Sequence, residues 1–544
     1  MDWVQWSKQW ILARPRLRAL ARRLFVAPRQ VRALRALASC HDSHPAARER
    51  PDSRPVVLLL ALRPWGLHRG WEGLLARRLE AGGARVVWAT CDGLLTRCDA
   101  MLPAFPEAGL CSHCTRFNRD CASAIGVERV ALSDSEGLSP TQRRALRERA
   151  DETPVDPRIA SHITASFQRL RAGGMRPLAE LDPEDLALWR ELAFNAELVD
   201  RVAPALLDKV RPDALLALNG KFFAESIILE HAVERDLPVW TYERGNVRDT
   251  IVLTPRSVAV PFDTEAISSE LRTRELTPEQ RQRAEHYLGV RSQLGNGQVR
   301  FIAAGAKPID ASWRSEQCRV VALFTNLIWD SGVVGEDTIF ASMFDWIGTT
   351  IDQLGAQPNT RLVLRVHPAE ERVYWHPTRD RVRDYLSQRY ANGLPANVNL
   401  VDALDPVDSY SLMEAADLVL TYTSSVGIEA AALGKTVVTA ARSNYSGAPF
   451  VHTPATAAEY QTLLAQTTAL APPPEAAELA LRFTYRLYFE LMLPVPFVRE
   501  TATGFAFDAE RTPSSDSPLD AVLRQLVTSA RDHAERRAVQ AVTP

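Results

Sequence analysis

The sequence predicts an α/β fold of two doubly wound, Rossmann-like domains. Three observations carry that expectation. Short apolar runs alternate with helical stretches over residues 361–441, and the same alternation recurs over 56–89 and 213–245. In both regions the strands end in polar residues, at the edge where such sheets meet a ligand.

Residues 1–54 read as a basic N-terminal helical segment and a linker. Met1 to Ala36 carries Lys8, Arg14, Arg16, Arg18, Arg22, Arg23, Arg29, Arg32 and Arg35 with Asp2 as its only acid. Trp3, Trp6, Trp10, Leu17, Leu20 and Leu24 are interspersed. This pattern suits a helix lying on an anionic surface, so a peripheral contact with the inner membrane through residues 1–36 is one expectation. A solvated or partner-docked helix, interrupted by Pro15 and Pro28, is the other. His41 to Arg54, polar and proline-containing, is the linker.

The first domain is expected over residues 55–262. Val56–Leu62 is a buried strand, followed by Arg63-Pro64-Trp65-Gly66, a helix to about Glu80, the Gly82-Gly83 pair and a strand from Arg85 to Ala89. The loop is not GxGxxG, so no dinucleotide is assigned. His68 and Glu72 lie near the ligand edge, as functional contacts or as loop surface. Ser139–Lys209 is helical in pattern, with Pro183 as a first helical residue after Asp182. The strand Asp213–Leu218 ends in Asn219-Gly220, a helix spans Phe223–Arg235, and the strand Leu237–Tyr242 ends in Glu243-Arg244-Gly245. Asn219 and Glu243 thus stand at strand ends facing the cleft.

Five cysteines crowd an insertion at residues 91–121. Cys91, Cys98, Cys111 and Cys114 follow a C-x6-C-x12-C-x2-C pattern that can hold a structural zinc, with His113 or Cys121 as spare ligands. Free thiols in a loop are the even alternative, and an iron–sulfur cluster a third. Disulfides are not expected in a reducing cytosol.

Residues 263–317 form a charged, helical interdomain connection, with Thr277-Pro278-Glu279-Gln280 as a helix start. The second domain, 318–472, opens with the strand Cys318–Phe324, which ends in Thr325-Asn326. An amphipathic helix is expected over Asp337–Leu354. The run Arg361–Val366 is a buried strand stopped by His367-Pro368, because proline cannot continue a ladder and keeps its predecessor extended. A strand 397–401, a helix 409–416 and a strand 418–422 follow, the last ending in Thr423-Ser424-Ser425-Val426-Gly427. Glu429 sits one turn into the next helix, Gly434 closes that helix and a strand 436–440 follows. Ser424, Ser425 and the first helix amides make an anion site, His367 can donate to a phosphate, and Glu429 can take ribose hydroxyls. A nucleotide or nucleotide-sugar is the matching guest.

Phe324-Thr-Asn-Leu-Ile-Trp-Asp330, Arg365-Val-His-Pro-Ala-Glu370, Tyr422-Thr-Ser-Ser-Val-Gly-Ile-Glu429 and Gly434-Lys-Thr-Val together resemble the capsule polysaccharide biosynthesis family, which includes β-Kdo transferases. The paired His-Pro and Ser-Ser motifs are also similar to those of bacterial sialyl- and polysialyltransferases. The resemblance is densest over residues 320–460 and continues more weakly into 480–497. It implies a GT-B architecture, with two Rossmann-like domains facing a cleft. It also implies a metal-independent glycosyltransferase using a CMP-sugar such as CMP-Kdo on a glycan or lipid-linked acceptor of surface polysaccharide synthesis. On that reading Thr325, Asn326, Arg365, His367, Glu370, Ser424, Ser425 and Glu429 hold the donor and Asn219 the substrate on the other side. Glu243 is then the preferred general base and His367 assists the leaving phosphate. Asp92 and Glu72 are alternative bases, and pairing of Glu243 with Arg244 or Arg248 is the structural alternative. A UDP-sugar transferase or 2-epimerase of the same fold and a non-catalytic capsule assembly or export protein are the rival functions.

Composition narrows the classes further. The 544 residues are 46% hydrophobic, ample for two cores, and the net charge of −2 argues against a nucleic-acid partner. No apolar run approaches the roughly 18–20 residues of a membrane helix, and no secretory leader is recognisable, so a cytoplasmic protein is expected. Residues 473–500 suggest a crossover helix back to the first domain. Residues 501–544 suggest a mobile tail in which 519–540 can recover a helix.

Overall fold

The computed structural model describes residues 26–41, 54–101, 110–135, 137–151, 155–294, 307–309, 318–371, 378–501, 504–508 and 517–542. Two parallel sheets organise them. The first holds β1 (Val56–Leu60), β2 (Arg85–Thr90), β3 (Glu128–Ala131), β4 (Ala214–Leu218) and β5 (Val239–Arg244), parallel in the order β3-β2-β1-β4-β5, with β6 (Thr250–Thr254) added antiparallel to β5. The second holds β7 (Arg319–Phe324), β8 (Thr360–Arg365), β9 (Val398–Val401), β10 (Leu418–Thr421) and β11 (Thr436–Thr439), all parallel, in the order β9-β8-β7-β10-β11. Strand order reverses between β1 and β4 in one sheet and between β7 and β10 in the other. A crevice opens at such a reversal, at the carboxyl ends of the strands.

The strands read as unbroken apolar runs because both faces are covered. Val57 and Leu59 of β1 point into one core and Val56, Leu58 and Leu60 into the other. Full burial of each such side chain contributes about 1.5–3 kcal/mol. The first core is closed by α1 (Ala27–His41), α2 (Gly66–Ala81) and α3 (Leu110–Ile125). The second is closed by α4 (Pro140–Asp151), α5 (Pro157–Arg171), α6 (Pro183–Val210) and α7 (Phe223–Val233). Asp182 caps α6 by accepting from the Asp185 amide at 2.8 Å, with Pro183 as the first helical residue.

The chain continues through α8 (Glu265–Glu270) and α9 (Pro278–Leu294). On the second sheet, Val320, Ala322 and Phe324 of β7 face one core and Val321 and Leu323 the other. The helices there are α10 (Met343–Gly355), α11 (Val382–Arg389), α12 (Ser409–Ala415), α13 (Val426–Ala432), α14 (Ala457–Ala465) and α15 (Ala476–Arg486). After α15, β12 (Leu493–Pro494) pairs antiparallel with β6 of the first sheet. A hairpin of β13 (Val498–Thr501) and β14 (Gly504–Phe507) and the helix α16 (Pro518–Val542) complete the described chain.

The helix expected from Asp337 begins at Met343, because Ser342 supplies the cap by accepting from the Asp345 amide at 3.2 Å. Within the tail, the helix expected over 519–540 is the 25-residue α16, whose Leu519, Leu523, Leu526, Val527 and Ala530 form one stripe buried in the first core. The membrane-surface reading of residues 1–36 meets a different fact at its end: Val31, Leu34 and Leu37 of α1 are buried in that same core. Residues 1–25 lie outside the described residues. No described helix is long and apolar enough to cross a membrane.

The two sheet units touch through polar locks. Phe262 N donates to Asn444 Oδ1 at 2.8 Å where the chain passes between them. Asp380 of the second unit accepts from Arg171, Arg176 and the Gly174 amide of the first, and Arg379 pairs with Asp185 at 2.8 Å. Lys221, just beyond β4, donates to Val334 O at 2.7 Å and pairs with the buried Glu336 at 2.5 Å.

Candidate active site between the two sheet edges

On the second unit the site is built around the end of β7. Thr325 Oγ1 accepts from the His367 amide at 2.9 Å, and Asn326 Oδ1 accepts from the Thr423 amide at 3.2 Å. Thr325 and Asn326 thereby tie the His-Pro turn after β8 to the Ser-Ser turn after β10. His367 caps the following short turn: its Nδ1 accepts from the Ala369 amide at 3.1 Å, which leaves the ring proton on Nε2. Burial, with Arg365 beside it, holds the imidazole down to about 4, so His367 is neutral near pH 7 and acts as an N–H donor.

The Ser424–Gly427 turn is held from behind by Tyr445, a residue that the spacing of the sequence does not reveal. Its hydroxyl donates to Ser424 O at 2.6 Å and meets Thr421 Oγ1 at 2.8 Å. A Cβ on Gly427 would lie 2.3 Å from that hydroxyl, which is why glycine stands there. Ser424 Oγ accepts from the Val426 amide at 3.4 Å, whereas the Ser425 side chain does not cap α13. Glu429 is 3% exposed and lines a cavity of about 460 Å³ shared with Tyr410, Met413, Arg281 and Glu478, between α9, α12, α13 and α15.

Two other expected donor contacts are engaged elsewhere. Arg365 donates to Asp402 O at 2.6 Å and Ser409 Oγ at 3.1 Å, joining β8 to the start of α12. Glu370 accepts from the Val382 amide at 3.1 Å and so caps α11. Burial lifts the Glu370 carboxyl to about 7, against the opposing pull of that amide. The folded chain therefore keeps a proton that the unfolded chain sheds near 4.5. The resulting stability is whole below that pH and is lost as pH rises through 7, by about 3 kcal/mol in all. Glu370→Gln, which cannot ionise, is expected to melt with the parent at pH 5 and above it at pH 8. An equal offset at both pH values would show that Glu370 does not titrate.

On the first unit, Asn219 ends β4 with φ 20°, and a Cβ on the next residue, Gly220 (φ +77°), would strike Ser257 O at 1.7 Å. Asn219 Nδ2 donates to Glu243 Oε2 at 2.9 Å, and the Arg244 amide donates to Glu243 Oε1 at 2.7 Å. The alternative pairings of Glu243 are not made: Arg244 binds Glu500 at 2.6 Å and Arg248 lies 3.9 Å from Asp249. Burial raises the Glu243 carboxyl above its usual range, and Asp330 of the second unit adds to the effect. The bonds of Lys221 to Val334 O and Glu336 bring the loop after β7 beside the end of β4. The other candidate bases are occupied. Glu72 pairs with Arg69 and accepts from the Tyr242 hydroxyl at 2.8 Å, and Asp92 pairs with Arg129. His68, buried among Arg244, Arg69, Arg63 and Arg169, is held down to about 3.

Cys91 and Cys98 follow β2, and Cys111 and Cys114 lie on the first turns of α3; all are free thiols. Burial pushes Cys114 up to about 12, and Asn118 Nδ2 donates to its Sγ at 3.4 Å. Among the described residues no group of three or more His, Cys, Asp or Glu side chains is placed to hold a metal ion, so the zinc expectation gains no ligand set.

Comparison with known proteins follows the geometry. Residues 344–463 match the family described as capsule polysaccharide biosynthesis protein. No curated protein sequence matches the chain. Among solved structures, the β-Kdo 2,4 transferase KpsC of Thermosulfurimonas dismutans is similar at 15% identity and a TM-score of 0.34, over 58% of this chain and 87% of that one. The β-Kdo 2,7 transferase of the same organism is similar at 14% and 0.35, over 60% and 88%. A UDP-GlcNAc 2-epimerase from Neisseria meningitidis is similar at 11% and 0.24, over 79% and 95%. At such scores these likenesses carry no inference of their own. The stretch that matches this family, residues 344–463, holds His367, Ser424, Ser425 and Glu429.

Proposed function

We propose that the protein is a glycosyltransferase of surface polysaccharide synthesis. It takes a nucleotide-sugar, in the first instance a CMP-sugar such as CMP-Kdo, at the β7–β8–β10 edge. A glycan or lipid-linked acceptor binds at the β4–β5 edge. The observation that supports this reading is the presence of unlike groups at the strand ends of the two units. Glu243, at the end of β5, is a carboxylate with a raised pKa and no ion pair among the described residues, and the strand ends of the second unit carry a neutral imidazole donor and the Ser424–Ser425 turn. The acceptor hydroxyl oxygen bonds to the anomeric carbon as the bond to the nucleotide phosphate breaks. The proton passes to Glu243 and the electron pair leaves with the phosphate, which accepts from His367 Nε2–H and the Ser424–Gly427 turn. Glu429, one helical turn (about 5.4 Å) from the Ser-Ser turn, takes the ribose.

The test is a thermal-shift panel of CMP, UMP, UDP, GDP and ADP on the purified protein. A nucleotide present at about a hundred times its dissociation constant should add roughly 2.7 kcal/mol of stability. Selective stabilisation by CMP, lost in His367→Ala, is expected. Selectivity for UDP would move the donor and favour a UDP-sugar transferase or 2-epimerase. Stabilisation by no nucleotide would overturn the reading in favour of a non-catalytic assembly protein.

A further inference from the structure

The cysteine insertion takes no part in the proposed transfer, yet its backbone is shaped around sulfur. Cys91 opens a tight turn after β2. The Leu94 amide donates to Cys91 O at 3.2 Å, and both central residues, Asp92 (φ 50°) and Gly93 (φ +85°), are left-handed. The turn directs the amides of Gly93, Leu94 and Leu95 at the Cys91 sulfur. Cys98 opens a second turn, in which the Met101 amide donates to Cys98 O at 2.9 Å and the Ala100 amide is directed at the Cys98 sulfur.

Cys111 and Cys114 stand three residues apart on one face of the first turns of α3, where the helix favours negative charge. Asn118 Nδ2 donates to Cys114 Sγ at 3.4 Å, and Asn118 Oδ1 accepts from Nε of the fully buried Arg69 at 3.0 Å. Cys91 lies within electrostatic reach of Cys98, Cys111 and Cys114. The spare ligands drop out: Cys121 is buried in the first core, and the His113 ring stacks on that of Phe117.

Two features of these sulfurs oppose each other. Amide donors aimed at a sulfur favour the thiolate, whereas a neutral thiol is a weak acceptor with little use for three of them. Burial pushes Cys91, Cys98 and Cys114 up, so none of the three ionises alone near pH 7. A bound cation reconciles the two, because it deprotonates its thiols outright and brings its own charge into the buried space. Among the described residues no three side chains close on one point, so what is preformed is the backbone that presents them.

We infer that Cys91, Cys98, Cys111 and Cys114 hold one structural zinc ion, two from sulfur-directed turns after β2 and two from the start of α3. Four thiolates leave no open position for water, so the ion does no chemistry. It fastens the insertion to the first sheet. Asn118 passes that hold to Arg69, which pairs with Glu72 and donates to Ala61 O at 2.6 Å just beyond β1.

The experiment uses the full-length protein, dialysed against zinc chloride and then against buffer. Elemental analysis is expected to find about one zinc ion per chain. Iodoacetamide labelling read by mass spectrometry should mark the exposed Cys40 at once, and the four ligands only after a chelator removes the ion. The chelator should also lower the melting temperature, and added zinc should restore it. Cys91→Ser should lose the ion and Cys318→Ser should keep it; if Cys91→Ser does not fold, the labelling of the parent decides. Labelling of the four without chelator would make them free thiols, and labelling only after a reductant would make them disulfides. Iron with acid-labile sulfide in place of zinc would make the site a cluster. Each of these results would overturn the inference, as would a chain that retains no zinc.

Discussion

Glu243→Gln is expected to lower kcat by about 10²–10⁴-fold while leaving nucleotide affinity and the fold intact. Glutamine keeps one oxygen to accept from the Arg244 amide, while its NH2 replaces the oxygen that accepts from Asn219, so the end of β5 keeps one of its two bonds to this side chain. What it loses is the ability to take a proton. The raised pKa of Glu243 makes the result separable from a structural effect. An acid whose folded pKa lies above its unfolded value contributes stability only at low pH, and that contribution is lost as pH rises through the folded value. Near pH 8 the glutamine variant should therefore lose no more stability than the one bond from Asn219 is worth, about 1 kcal/mol, and be far slower. In the parent, the acid limb of the kcat/KM profile should lie above the usual carboxylate range, because the base must first ionise. A variant that loses stability but keeps its rate would make Glu243 a prop for the β4–β5 edge and return the search for the base to the cleft.

The parts of this site that were legible in sequence are those written locally. His367 is followed by proline and preceded by an apolar run, so the strand end is fixed within three residues. Thr325 and Asn219 are legible for the same reason, since each directly follows a run of buried apolar residues, and Ser424 lies three residues beyond the end of β10. The direction in which a strand-end side chain turns is not written locally. Arg365 and Glu370 flank His367 in sequence, yet one joins β8 to α12 and the other caps α11. Residues set by distant partners were illegible as well. Tyr445 acts on the Ser424 turn from 21 positions away. The two-residue strand β12 escaped because its pairing with β6 spans more than two hundred residues and leaves no short-range period.

Asp380→Ala is expected to destabilise the protein by about 3 kcal/mol and to slow turnover without weakening nucleotide binding. Burial opposes ionisation of Asp380, but Arg171 and Arg176 outweigh it and hold the carboxyl below its usual range. Its contribution is thus complete at neutral pH and is lost as pH falls through that lowered value. Removing it leaves Arg171 buried with only Asp185, which Arg379 already shares. An uncompensated charge is the larger part of the loss, so Arg171→Met added to Asp380→Ala should recover stability while Arg379 still neutralises Asp185. Turnover should not recover with it. Residues 171–174 and 378–380 form the lock that sets how far the Glu243 edge stands from the His367 edge, and an apolar contact fills the space without fixing that distance. The proposed nucleotide edge lies wholly on the second unit, so CMP affinity should be equal in the parent, the single and the double variant. If the double variant recovers both stability and kcat, the ion network is packing and the register of the two units is set elsewhere, with Lys221 and Glu336 the next pair to break.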